Sequence, residues 1–168
     1  MKSAQEDEYL AFVAARAKAL YRSAYVLAAG DAHLAEDLVQ ETLSRVYVHW
    51  KRVVRADNPA AYAQTVLVRT FLSLRRRRSS TERPTGTLPD NAATGPDTAL
   101  RLTLLDALGQ LPPRDRAVLL LRYWEDRSIE ETAQMLRMTS SAVRSQSTRA
   151  LGRARALLGD SLSDLIPH

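Results

Sequence analysis

Apolar residues recur every three and four positions along most of this chain, and nowhere do they alternate in the period of two that a half-buried strand requires. From Tyr9 to Ala29, the positions Phe12, Val13, Leu20, Tyr21, Ala24 and Leu27 mark one face of a first helix. Gly30 ends it, and Asp31 stands where it can cap a second helix from Ala32 to Trp50, with Leu34, Leu38, Leu43 and Val46 on its apolar side. Asn58-Pro59 marks a loop and a fresh start with proline at the first helical position, and a third helix runs to Arg77. From Ser79 to Asp97 the periodicity stops and Ser, Thr, Pro, Gly and Asn dominate, the composition of a linker that could reach about 65–70 Å if fully extended. Helical spacing resumes over Thr98 to Leu108, and Pro112-Pro113 opens another helix. Ile129 to Met135 is short and amphipathic, with Ile129, Ala133 and Leu136 in register. A break at Arg137-Met138-Thr139 follows, and Thr139 or Ser140 can cap a last helix whose apolar members are Val143, Ala150, Ala154, Leu157 and Leu158. The pattern predicts an all-α fold. It divides into two small helical domains, a three- or four-helix bundle at 5–78 and a helix-turn-helix domain at 99–160, joined by a flexible linker at 79–98.

The last two helices carry the first chemical signal. Arg144, Arg149, Arg153 and Arg155 lie on the final helix with no acidic residue before Asp160. Two helices about a tight turn, the second positive on its outer face, suit the major groove of DNA. The turn lacks the glycine such turns often hold, with Arg137 in its place. Two packed surface helices with a solvated basic face would read the same way.

Composition narrows the classes. The 168 residues include no cysteine, which excludes disulfides, thiolate metal sites and a cysteine nucleophile. No apolar run approaches the roughly 18 residues needed to span a bilayer, and MKSAQEDEYL lacks the basic-then-apolar order of a signal peptide. A cytoplasmic location is expected. His33, His49 and His168 are dispersed, and there is neither a glycine-rich phosphate loop nor a serine-centred elbow. No catalytic residue, metal, cofactor or small-molecule substrate is therefore expected.

Charge is unevenly distributed. Residues 51–78 hold eight Lys and Arg against one acidic residue, whereas residues 1–50 and 79–98 are each net negative by two. Separate basic patches at the end of the first half and on the last helix fit two contacts with one polyanion, because cations there displace the counterions of phosphates. Within that first patch Lys51, Arg52 and Arg55 lie between Trp50 and Tyr62, a mixture that suits unpaired bases, where rings stack and cations hold the backbone. Trp50 and Tyr62 could equally be core. Upstream, Asp37, Gln40, Glu41 and Ser44 form one polar stripe at i, i+3, i+4 and i+7, which in isolation reads as a solvated face.

Together these segments resemble one family, the extracytoplasmic-function (ECF) sigma factors of the sigma-70 class, which are two-domain specificity subunits of bacterial RNA polymerase. AEDLVQETLSRVY at Ala35 to Tyr47 is similar to the family's core-binding helix of region 2. NPAAYAQTVLVRTFLSLRRR at Asn58 to Arg77 is similar to its promoter-melting loop and minus-ten helix. LPPRDRAVLLLRYWEDRSIEETAQML resembles the opening of region 4, and SSAVRSQSTRALGRAR its recognition helix. The SQSTRAL and RYWED segments resemble an actinobacterial subgroup.

The resemblance implies a role for each patch. Asp37, Gln40, Glu41 and Ser44 would dock core RNA polymerase through its beta and beta-prime subunits. Lys51, Arg52, Arg55, Asn58 and Tyr62 would hold the melted non-template strand and accept an extruded base, with Arg69, Arg75 and Arg76 on nearby phosphates. Ser140, Ser141, Arg144, Ser145, Gln146 and Arg149 would face the double-stranded minus-thirty-five element, Arg144 and Gln146 reading base edges. An anti-sigma factor is an expected partner. The chain departs from the family pattern at Arg137, where the turn glycine is missing, and in helix three, where Tyr62 and Arg69 or Thr70 stand in place of a Trp and a later Asn. A conventional two-domain regulator that binds its operator alone, and a sigma mimic that titrates an anti-sigma protein, remain as rivals.

Overall fold

The computed structural model describes residues 2–79 and 96–165, with side chains described from Ala4 to Leu74 and from Thr98 to Gly159. Every element among the described residues is helical. The first lobe comprises α1 (Lys2–Leu27), α2 (Ala32–Val48), α3 (Trp50–Arg55) and α4 (Pro59–Ser79). The second comprises α5 (Pro96–Gln110), α6 (Pro113–Leu119) with a π-helical turn over Leu120–Trp124, α7 (Ile129–Leu136) and α8 (Ser140–Leu165). The linker expected at 79–98 lies mostly outside the described residues.

Helix starts follow the local chemistry. Asp31 caps α2 by accepting from the Leu34 amide at 3.1 Å. Asn58 Oδ1 accepts from Ala61 N at 3.0 Å, so α4 starts on an asparagine cap with proline at its first position. Ser128 and Glu131 form a reciprocal capping box on α7. Thr139 Oγ1 accepts from Ala142 N at 3.1 Å, which makes Thr139 the cap of α8.

Boundaries differ from the expected ones in instructive places. Helix α1 begins about two turns early because Ala4, Gln5 and Glu6 are good helix formers that need no buried partner. The second expected helix breaks at His49, whose backbone leaves the helical region, and the stretch expected to be loop after Trp50 winds into α3. Winding there buries Trp50 and Val53 against the bundle. Arg137 adopts the left-handed conformation, φ 56°, that the missing glycine would have taken without strain.

The two lobes share one apolar core. Leu27, Leu38, Leu67, Val68 and Phe71 of the first lobe belong to the same buried cluster as Val118, Leu120, Leu121 and Met135 of the second. Gly30 serves this join directly. Its φ of +88° needs a residue without Cβ, and a Cβ there would stand 3.1 Å from Leu105 Cδ1 across the lobes.

Candidate nucleic-acid interface

The polar stripe on α2 faces water. Asp37, Gln40 and Ser44 are exposed and Glu41 is half-buried, while Leu34, Leu38 and Val46 fill the opposite side. Glu41 pairs with Arg45 at 3.1 Å, and Arg45 also donates to Thr70 Oγ1 at 3.0 Å, so the stripe is fixed to α4 behind it. Thr70 is fully buried in that bond and presents nothing to a ligand.

Lys51, Arg52, Arg55 and Tyr62 come together as the sequence predicted. They line one open cleft of about 960 Å³ between α2, α3, the start of α4 and the start of α1, where Gln5 and Glu6 complete the wall and Glu6 adds a carboxylate. Its floor is aromatic. Trp50 is packed edge-on against Tyr9 (5.6 Å between centroids) and beside Phe12 (5.3 Å), and Tyr9 donates to the Leu43 carbonyl at 2.9 Å. Burial, and then the neighbouring Tyr47, raise the Tyr9 pKa, so this phenol stays protonated as a donor. Trp50 also lines the cleft, and its Nε1–H, buried, has no hydrogen-bond partner in the protein. A buried indole N–H without an acceptor is costly, and here it is closed off from solvent within the core. Sequence reasoning left Trp50 open between a stacking ring and a core residue, and the structure buries it in the core. Asn58 does not line the cleft and serves as the α4 cap.

Arg69 lies about two turns beyond Tyr62 on α4, half-buried, and reaches across to α7. Its Nε donates to the Met135 carbonyl at 2.8 Å and its Nη2 to the Gln134 carbonyl at 3.0 Å. Burial, then the nearby Arg137, lower its pKa, with Tyr62 opposing them. The side chains of Arg75 and Arg76 lie outside the described residues.

On the second lobe, α7, the Arg137–Thr139 turn and α8 form a helix-turn-helix. Val143, Ser147 and Ala150 pack inward, and Ser141, Arg144, Ser145 and Arg149 are exposed along the outer face, with Ser140 half-buried at its start. Gln146 is held differently. Its Nε2 donates to Asp115 Oδ1, and Arg153 Nη1 donates to Asp115 Oδ2 at 2.7 Å. Asp115, fully buried in the first turn of α6, thus grips α8 at two points two turns apart. Sequence reasoning missed Asp115, because its partners lie 31 and 38 residues away and no periodicity links them.

No group of His, Cys, Asp and Glu among the described residues could hold a metal ion, and no described helix is long and apolar enough to cross a membrane. The described residues thus present an exposed basic face on α8 in the second lobe and a cleft lined by Lys51, Arg52, Arg55 and Tyr62 in the first.

Both lobes match known families. Residues 8–81 match the family model of Sigma-70 region 2, and residues 101–153 that of Sigma-70, region 4. The chain is 37% identical over 150 residues to RNA polymerase sigma-E factor of Streptomyces coelicolor, covering 88% of this chain and 84% of that protein. It is 39% identical over 151 residues to the sigma-E factor of Streptomyces avermitilis, covering 88% and 83%. It is 32% identical over 139 residues to ECF RNA polymerase sigma factor SigL of Mycobacterium tuberculosis, covering 77% of each. Its fold is similar to that of the sigma factor RpoE of Bartonella quintana, solved with the anti-sigma factor NepR, with a TM-score of 0.73 at 22% identity over 90% of this chain and 97% of that one. The chain belongs to the sigma-70 family, as one of its extracytoplasmic-function RNA polymerase sigma factors.

Proposed function

We propose that this protein, acting in the cytoplasm without catalytic chemistry of its own, joins core RNA polymerase through the α2 stripe, opens the minus-ten element at the α3 cleft and reads the minus-thirty-five element with α8. The domains that do so are 5–78 and 99–160. The observation that carries the reading is the cleft itself, because Lys51, Arg52 and Arg55 line it together with Tyr47 and Tyr62 at the place the family likeness assigns to melted DNA. Cations there hold the strand's phosphates, and an unpaired base that enters gains a stacking surface on Tyr47 or Tyr62. Opening is then driven by capture of the strand.

On α8, Arg144 is the base reader and Ser141, Ser145 and Arg149 hold phosphates. Gln146 is a brace to Asp115 and not a reader, which revises the expectation from sequence. Asn58 supports the cleft as a cap. Arg69 reaches phosphate only after leaving its carbonyl partners. An anti-sigma protein fits as a partner by the fold's likeness to a sigma factor solved with one.

Charge reversal tests the docking stripe. Asp37→Lys and Glu41→Lys should each abolish co-purification with core polymerase while leaving the helical signal unchanged, because a surface i,i+4 pair such as Glu41–Arg45 contributes only about 0.3–0.5 kcal/mol to the fold. Retention of full core affinity by both variants refutes the assignment.

A further inference from the structure

A second cavity, of about 840 Å³, lies among α1, α5, the π-helical turn and α8. It shares no residue with the cationic cleft or with the exposed basic face of α8. Leu100, Leu104 and Leu108 recur every four positions on α5 and line one wall. A leucine stripe at that spacing ordinarily meets a packed partner, yet Leu100 and Leu104 are exposed, and so is Trp124, at 62%. Tyr25 and Val26 of α1 line the cavity as well and leave the gap unfilled. Apolar surface gathered in this way and left to water marks a binding site. The volume lies within the range of small-molecule pockets, about 300–1,000 Å³.

Charge at the cavity has one sign. Arg22 and Arg101 are the charged residues among its described lining, none of which is acidic, and both are exposed. Arg101 holds its guanidinium 5.4 Å over the Tyr25 ring, a cation attracted to the ring face. Arg22 lies one turn before Tyr25 on α1, and Tyr21 stacks beside Tyr25 with 6.1 Å between centroids. Lys18, one turn further back, lines an adjoining pocket with Arg22 and Tyr21. The cations thus gather around one pair of rings, while the leucine wall runs on from Arg101 to Leu108, two turns or about 10 Å along α5. An apolar path with cations at one end fits an apolar chain with an anionic head.

We propose that this cavity binds a long-chain carboxylate, its acyl chain along the α5 leucines and its head between Arg22 and Arg101. A guanidinium offers parallel N–H donors that match the two oxygens of a carboxylate. Arg101 is already placed by the Tyr25 ring, so less side-chain freedom is lost on binding. The chain covers Leu100, Leu104 and Trp124 and removes from water the apolar surface that the fold leaves open. The site stands apart from the sigma-factor reading, since none of its residues belongs to either DNA-binding surface.

The test uses the full chain and its own fluorescence. It has two tryptophans, Trp50 buried in the core and Trp124 exposed in the cavity wall, so acrylamide quenching reports on Trp124. Decanoate, dodecanoate and tetradecanoate, each below its self-association concentration, should protect Trp124 saturably, with affinity rising roughly fourfold per added methylene. Dodecanol, which keeps the chain and lacks the charge, should bind the unaltered protein at least about tenfold more weakly than dodecanoate. Arg22→Glu and Arg101→Glu, both changes at exposed positions, should each weaken dodecanoate about tenfold or more and leave dodecanol unaffected. No protection by any of the three acids, or equal affinity for dodecanol and dodecanoate, overturns the proposal, and neither result needs a substitution. Protection by an acidic amphipathic helical peptide where the acids give none overturns it too, and makes the groove a protein interface.

Discussion

Removing the Asp115 carboxylate should loosen the recognition helix more than any other single change to its surroundings. Asp115 is fully buried, and its two oxygens accept from Gln146 and from Arg153, the latter at 2.7 Å. A hydrogen bond to a charged group contributes about 1.5–3 kcal/mol, but half-exposed Arg153 regains water on release, which cuts its share to about 1 kcal/mol. Gln146, half-buried, loses about 1.5 kcal/mol with its partner. The carboxylate also sits in the first turn of α6, favourable to the helix dipole by about 0.5 kcal/mol. Asp115→Ala should therefore cost about 2–3 kcal/mol, seen in urea unfolding as a lower midpoint and thermally as a drop of about 5–10 °C in Tm. Asp115→Asn keeps the shape and one acceptor and should lose about half as much. A loss of less than about 0.5 kcal/mol in Asp115→Ala, the range of an ordinary surface substitution, would show that α8 is held by its apolar face alone. The two-point grip would then be wrong.

The other predictions reach different parts of the molecule. Gly30→Ala should destabilise by about 1–2 kcal/mol by denaturant titration, since the new Cβ meets both the positive φ and Leu105. Arg144→Ala should weaken minus-thirty-five binding by about 1–3 kcal/mol with relaxed preference at one upstream position, measured across single-base promoter variants; equal loss on all of them would make Arg144 a phosphate contact. Ser128→Ala should cost about 1 kcal/mol at neutral pH. Because the Ser128 backbone N–H lowers the Glu131 pKa, the Glu131 half of the box contributes above the usual carboxylate value and fades as pH falls through the lowered one, so parent and Glu131→Gln should converge in acid and differ most at neutral pH.

Much of this architecture was legible in the sequence because local rules decide it. Asp31, Asn58-Pro59 and Thr139 announce their helices through side chains that act within three residues, and the apolar faces of α2 and α8 follow from spacing alone. The cleft was legible too, since Lys51, Arg52, Arg55 and Tyr62 are neighbours in sequence. What escaped depends on distant partners. Arg116 stands in an arginine-rich stretch that reads as surface, yet it is buried beside Phe71, and only the other lobe explains why. Gln146 and Arg69 look free on helical wheels, and each is engaged by a residue 31 or more positions away. The glycine missing at Arg137 was visible, and the turn forms regardless, with the strain carried by a single left-handed residue.

The most direct measurement is run-off transcription from a fragmented genomic library, using purified core polymerase with and without this chain. The account predicts new start sites, present only with the chain, that share two upstream elements centred about 25 base pairs apart and that vanish with Asp37→Lys. No new starts, with the chain failing to bind core but shifting duplex DNA by itself, would contradict it and make the protein a conventional regulator.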